Sequence, residues 1–193
     1  SLSIRTMNED IINNLQVVKE ASQSQNGFVD FLSRTSNGDV EYVMKTSIKS
    51  TSDNLIYEYF VGWYLNKLNY FNANSAETTP MFKRFRCFTR TYALFQYKKG
   101  TTHDNIVVGT QLSNYMNVKT SSNFNLTEAC TKPTSFALLL EYEKGYTLHD
   151  TIANFRTHQF YLLNLMEVLL QIYVPLMILE KEYTHYDLHT LNV

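Results

Sequence analysis

Charge of one sign is missing from this chain. Its 17 Lys and Arg stand against 18 Asp and Glu in 193 residues, a formal net charge of -1. That balance provides no broad basic field for a phosphate backbone, which argues against a nucleic-acid binder. Cysteine is scarce as well. Cys87 and Cys130 have no metal-ligand spacing and cannot form a secreted disulfide framework, so they read as two reduced thiols of a cytosolic protein. Six glycines and three prolines are too few for a fibrous or disordered chain. No charged-then-apolar leader follows Ser1, and a cytoplasmic location is expected. Asn125-Leu126-Thr127 matches a glycosylation acceptor but lacks a secretory context.

Only one long apolar run needs testing as a membrane span. Residues 160–179 read FYLLNLMEVLLQIYVPLMIL, about the length that crosses a bilayer core. Asn164, Glu167 and Gln171 interrupt it, and a central carboxylate costs about 2.5–3.5 kcal/mol on insertion. The segment therefore reads as a buried helix with no membrane role, kinked at Pro175, where an amide donor is lost.

What the chain does contain is 14 Tyr, 12 Phe and a clear order of local patterns. Ile11, Ile12, Leu15 and Val18 have helical spacing, which predicts a helix over residues 8–20. Residues 28–32 and 40–46 read as strands joined through the turn signal Asn37-Gly38-Asp39. Ser52 or Asp53 is placed to cap a helix over residues 54–68. Two more strands are expected in residues 82–97. Residues 98–134 form a long polar connection, expected to carry few buried apolar contacts, to take no part in the site's chemistry and to be more mobile than the strands around it. An apolar strand over residues 136–141 precedes a chain that is helical to about residue 182. The pattern is α+β, with a sheet-rich lobe followed by a helical one and the switch near residues 142–145.

The most specific string is His185-Tyr186-Asp187-Leu188-His189-Thr190-Leu191-Asn192. It meets the pattern H-R-D-L-x-x-x-N at His, Asp, Leu and Asn. A carboxylate there can accept the proton of an attacking hydroxyl, while an amide oxygen five residues on holds a metal ion near the same phosphate. With this loop and the wording DNLIYEYFVGWYLNKL, the chain resembles the N-terminal two-thirds of a protein-kinase-like domain. It is most similar to kinase-like proteins of large DNA viruses. Leu188-His189 also resembles the aminoglycoside-phosphotransferase branch.

The resemblance implies a bilobal protein-kinase-like fold. Residues 1–142 would form an antiparallel-sheet N-lobe with one helix and an insertion at about 98–134. Residues 143–193 would begin an incomplete helical C-lobe. Tyr42-Val43-Met44-Lys45 stands where V-A-I-K would, which makes Lys45 the clamp on the α- and β-phosphates of ATP. Glu58, the only acidic residue in the body of the next helix, is its candidate ion-pair partner; a solvated helix carboxylate is the rival reading. Asp187 would be the base and Asn192 a Mg²⁺ ligand. Gly27 and Val29 are what survives of a glycine-rich phosphate loop, in which Ser22 and Ser24 replace two glycines. Leu140 would guard the back pocket, and the Glu141 carbonyl and Glu143 amide would meet the adenine edge. Lys45, Glu58, Leu140 and Asp187 are expected to converge on one cleft.

Two departures bear on activity. Tyr186 replaces the arginine that pairs with a phosphorylated activation loop, so that control is not expected. The D-F-G aspartate would lie past Val193, and these 193 residues alone are expected to bind nucleotide weakly and not turn it over. The expected function is an ATP-dependent phosphotransferase, a Ser/Thr protein kinase acting on a phospho-acceptor not yet identified, in a host cytoplasm or virion. The alternative is a kinase-derived binding or structural virion protein without activity. His103-Asp104, His149-Asp150 and His158 have no metal-site spacing and read as surface residues.

Overall fold

A computed structural model describes residues 9–20, 27–34, 38–47, 55–67, 88–119, 127, 131–154, 158–181 and 183–184. The expected helix over residues 8–20 divides at Leu15. Helix α1 spans Glu9–Asn14, and strand β1 spans Gln16–Glu20. Val17 and Val18 suit a pleated surface, and β1 pairs antiparallel with β2 (Gly27–Ser33), setting Val17 opposite Leu32. That partner lies beyond any local window, so helical spacing alone misread the segment.

The strands on either side of the turn signal, whose Asn37 lies outside the described residues, pair with each other. β2 pairs antiparallel with β3 (Tyr42–Ser47), and helix α2 (Leu55–Lys67) follows. Then come β4 (Thr91–Tyr97), β5 (Met116–Lys119) and β6 (Phe136–Glu141). The six strands form one sheet in the order β1-β2-β3-β6-β4-β5, and every pair is antiparallel. The molecule is α+β. The caps proposed at Ser52 and Asp53, and the first of the two strands expected in residues 82–97, lie outside the described residues.

Strand register gives the sheet two distinct faces. The back face carries Leu32, Met44, Phe95 and Leu139 into a buried cluster with Ile12 and Leu15. The front face carries Leu94, Phe136 and Leu138 against Leu55 of α2, with Ile56, Tyr59 and Leu140 packed around them.

The connection after β4 departs from expectation. Its Ile106, Leu112 and Met116 are buried in the back-face cluster. The amides of Gly109 and Leu112 donate to the carbonyls of Val17 and Leu15, each at 2.8 Å. Ile106, Leu112 and Met116 are therefore core residues, while Val107, Val108 and much of the segment between the anchors stay exposed. A polar composition hid three apolar anchors spaced widely enough to escape any periodicity.

The chain divides into two compact units, Ser1–Tyr142 and Glu143–Val193. In the second, α3 (Leu148–Asn154) starts beside Thr147, whose hydroxyl accepts from the Asp150 amide at 3.1 Å, a side-chain cap on the first turn. Helix α4 (His158–Ile178) continues through Pro175. Among the described residues, no helix is long and apolar enough to cross a membrane.

Candidate functional site

On β3, buried and half-buried residues alternate from Tyr42 to Lys45, and Lys45 takes a half-buried position on the front face. Cross-strand pairing places Val29 opposite Lys45 on one side and Leu138 on the other. One row further along, Phe31, Val43, Leu140 and Thr91 face each other in turn. Val29, Phe31, Val43 and Leu140 are half-buried, forming an apolar shelf beside the lysine that continues the surface covered by α2.

Lys45 reaches from that shelf to α2, where its Nζ donates to Glu58 Oε2 at 2.7 Å across thirteen residues of sequence. The two side chains keep 35% and 40% of their surface exposed. A pair so exposed contributes only about 0.2–1 kcal/mol to stability. Its main consequence is geometric: a cation is held at a defined place above an apolar surface. Nearby, burial raises the Tyr59 phenol above its usual range.

Gly27 opens β2 opposite Ser47. A Cβ there would run into the Thr46 carbonyl oxygen, so any other residue would push β2 and β3 apart. Val29, two residues on, shares the face of Lys45. Leu140 and Glu141 end β6, where the Glu141 amide donates to the Arg90 carbonyl at 2.8 Å and the Tyr142 amide to the Glu41 carbonyl at 3.1 Å. Glu143 is exposed and opens the second unit. The structure thus brings together Lys45, Glu58, Val29 and Leu140 on one unit. Asp187 and Asn192, with Ser22 and Ser24, lie outside the described residues.

A second polar group, on the back face, went unnoticed in the sequence. Asp30 is 1% exposed, and its Oδ2 lies 2.9 Å from His103 Nε2. The His103 ring stacks on Phe28 at 3.9 Å between centroids. His103 was expected at the surface; instead it is mostly buried and ties the post-β4 segment to β2. Next to it, Thr46 Oγ1 and the Tyr97 hydroxyl share a hydrogen bond of 3.1 Å. Burial first, then the charges of Asp30 and Asp104, push the Tyr97 phenol up, against the lowering effect of the Thr46 bond. The only sequence signal for this group was an aspartate inside an apolar strand, FVDFL.

Among the described residues, no three His, Cys, Asp or Glu side chains gather as a metal site. No protein-family model, curated protein or solved structure matches the chain.

Proposed function

We propose that the chain is the nucleotide-binding part of an ATP-dependent phosphotransferase of the protein-kinase-like superfamily, with a helical lobe beginning at residue 143. The observation that carries this reading is the Lys45–Glu58 ion pair beside an apolar shelf. In this class a strand lysine held by a helix glutamate contacts the α- and β-phosphates, and catalysis is mainly positioning and charge stabilisation. The adenine would lie on Val29, Val43 and Leu140, against the backbone of Glu141. The triphosphate would run toward Gly27 and the Lys45 ammonium. Glu58 keeps that ammonium in place before nucleotide arrives, which lowers the cost of ordering it on binding.

The proposed roles in the 185–192 string follow from its pattern. Asp187 would accept the proton of the acceptor hydroxyl, and Asn192 would offer one neutral oxygen to a bound Mg²⁺. A single amide oxygen is a poor site for that ion, which is normally held by carboxylates and phosphate oxygens.

The test is calorimetric titration of the full-length protein with ATP and Mg²⁺, combined with a phosphotransfer assay. Lys45→Met is expected to weaken ATP binding about tenfold or more, since it removes a charge-assisted contact. Asp187→Asn is expected to retain ATP binding and lose transfer. Equal ATP affinity in wild type and Lys45→Met would overturn the proposal. ATP binding by the wild type without any transfer would favour a kinase-derived binding protein.

A further inference from the structure

Glu58, Gly62 and Asn66 stand at i, i+4 and i+8 on α2 and so share one helix face. All three meet the sheet unit. Glu58 holds Lys45 at 2.7 Å. The Asn66 Nδ2 donates to the Thr91 carbonyl at 2.6 Å. Gly62 lies against the Thr91 side chain: a Cβ built on it would collide with Thr91 Oγ1 and stand 2.9 Å from Thr91 Cβ. A rotamer change could move the hydroxyl aside, but Thr91 Cβ is carried by the backbone of β4 and cannot swing away.

Glycine is a poor choice for a helix interior, where it is less favourable than alanine. Here it permits a close approach that no side chain would allow. Thr91 itself is buried, sits opposite Leu140 and marks the start of a register shift in the β4–β6 pairing. We propose that Gly62 and Asn66 are positioning residues that act through Thr91 to set where Glu58 meets Lys45. This rests on the reading of Lys45 as the phosphate clamp.

The mechanical argument is short. The first turn of α2 is anchored by Leu55, buried among Leu94, Phe136 and Leu138. Glu58 lies between that anchor and Gly62, about 6 Å along the axis from the glycine. Lifting the helix from Thr91 tilts it about Leu55 and carries Glu58 with it. A hydrogen bond of 2.7 Å is lost by a movement of about 1 Å.

The experiment reads the lysine directly. In the full-length protein, acetic anhydride labelling of Lys45 is followed by peptide mass spectrometry in Gly62→Ala, Asn66→Asp, Glu58→Gln and the two double variants containing Glu58→Gln. Releasing Lys45 from its carboxylate should raise its labelling rate up to about fivefold, the range of an ion pair of this exposure. Gly62→Ala and Asn66→Asp should each move the rate toward that of Glu58→Gln, and neither should add to it once Glu58 is gone. Phe95→Leu, a lesion in the back-face core, should lower thermal stability without changing the rate.

Unchanged labelling in folded variants would overturn the proposal. Equal increases with and without Glu58 would overturn it as well. If Gly62→Ala fails to fold, Asn66→Asp decides the question alone, because at nearly unchanged volume it replaces the donor with a carboxylate oxygen that repels the Thr91 carbonyl, and its double variant with Glu58→Gln controls for the added charge. Labelling needs no nucleotide, so a wild type that fails to bind ATP would sink the phosphotransferase reading and still leave the Gly62–Thr91–Glu58 coupling measured.

Discussion

Lys45 and Asp30 sit on opposite faces of the same sheet and meet opposite electrostatic problems. Lys45 stays partly in water, and its pairing with Glu58 sets position more than stability. Asp30 is sealed from water, and His103 provides its polar contact at 2.9 Å. Truncating that imidazole leaves a buried carboxylate short of a partner, a penalty of about 3–5 kcal/mol. His103→Ala should therefore lower the unfolding free energy by that amount in urea titrations. Adding Asp30→Asn should recover part of the loss. If the double variant is no more stable than His103→Ala, the pair is not what stabilises this corner. The Lys45 pair was legible in the sequence because Tyr42-Val43-Met44-Lys45 resembles a kinase-like strand string and Glu58 lies on the next element, a helix with a strong local signal. The Asp30 pair was not, because its members are separated by 73 residues and only the folded sheet brings them together.

Among the elements, the segment after β4 differs most from its sequence appearance. Polar residues dominate it, yet Leu112 is fully buried, and its amide and that of Gly109 donate to the carbonyls of Leu15 and Val17. Leu112→Ala should cost about 2–5 kcal/mol, the usual range for emptying a buried leucine site. A change below about 0.5 kcal/mol would place the segment outside the cooperative core. β1 and α1 teach the same lesson from the other side. Their combined pattern is helical, but half of it is recruited as an edge strand by β2. The two-residue alternation of β3 and the position of α2 were readable, since each depends on residues within one element.

Across the whole molecule, buried phenols form a further system. Burial raises Tyr59, Tyr92 and Tyr97 above the usual tyrosine range. Each then keeps its proton in the folded chain at a pH where the unfolded chain has lost it. Their contribution is complete below about pH 10 and is lost as pH rises further, by at most about 1.4 kcal/mol per pH unit for Tyr97 and by less for the partly exposed Tyr59 and Tyr92. Urea unfolding at pH 9, 10 and 11 should show that decline, and Tyr97→Phe should make it shallower. Parallel declines in wild type and Tyr97→Phe would exclude Tyr97 as a contributor.

The sequence by itself determined the α+β class, the β2–β3 hairpin, α2 and β6, which rest on short-range physics: turn chemistry, alternation and helical spacing. The candidacy of Lys45 and Glu58 as partners came from the resemblance of their strings to a kinase-like pattern. Only the tertiary structure decided that residues 16–20 join the sheet, that residues 98–119 close its back face and that His103 meets Asp30. It alone brought Gly62 against Thr91. Each of those outcomes depends on a partner far along the chain, chosen by burial and backbone pairing across the whole sheet, which no local pattern encodes.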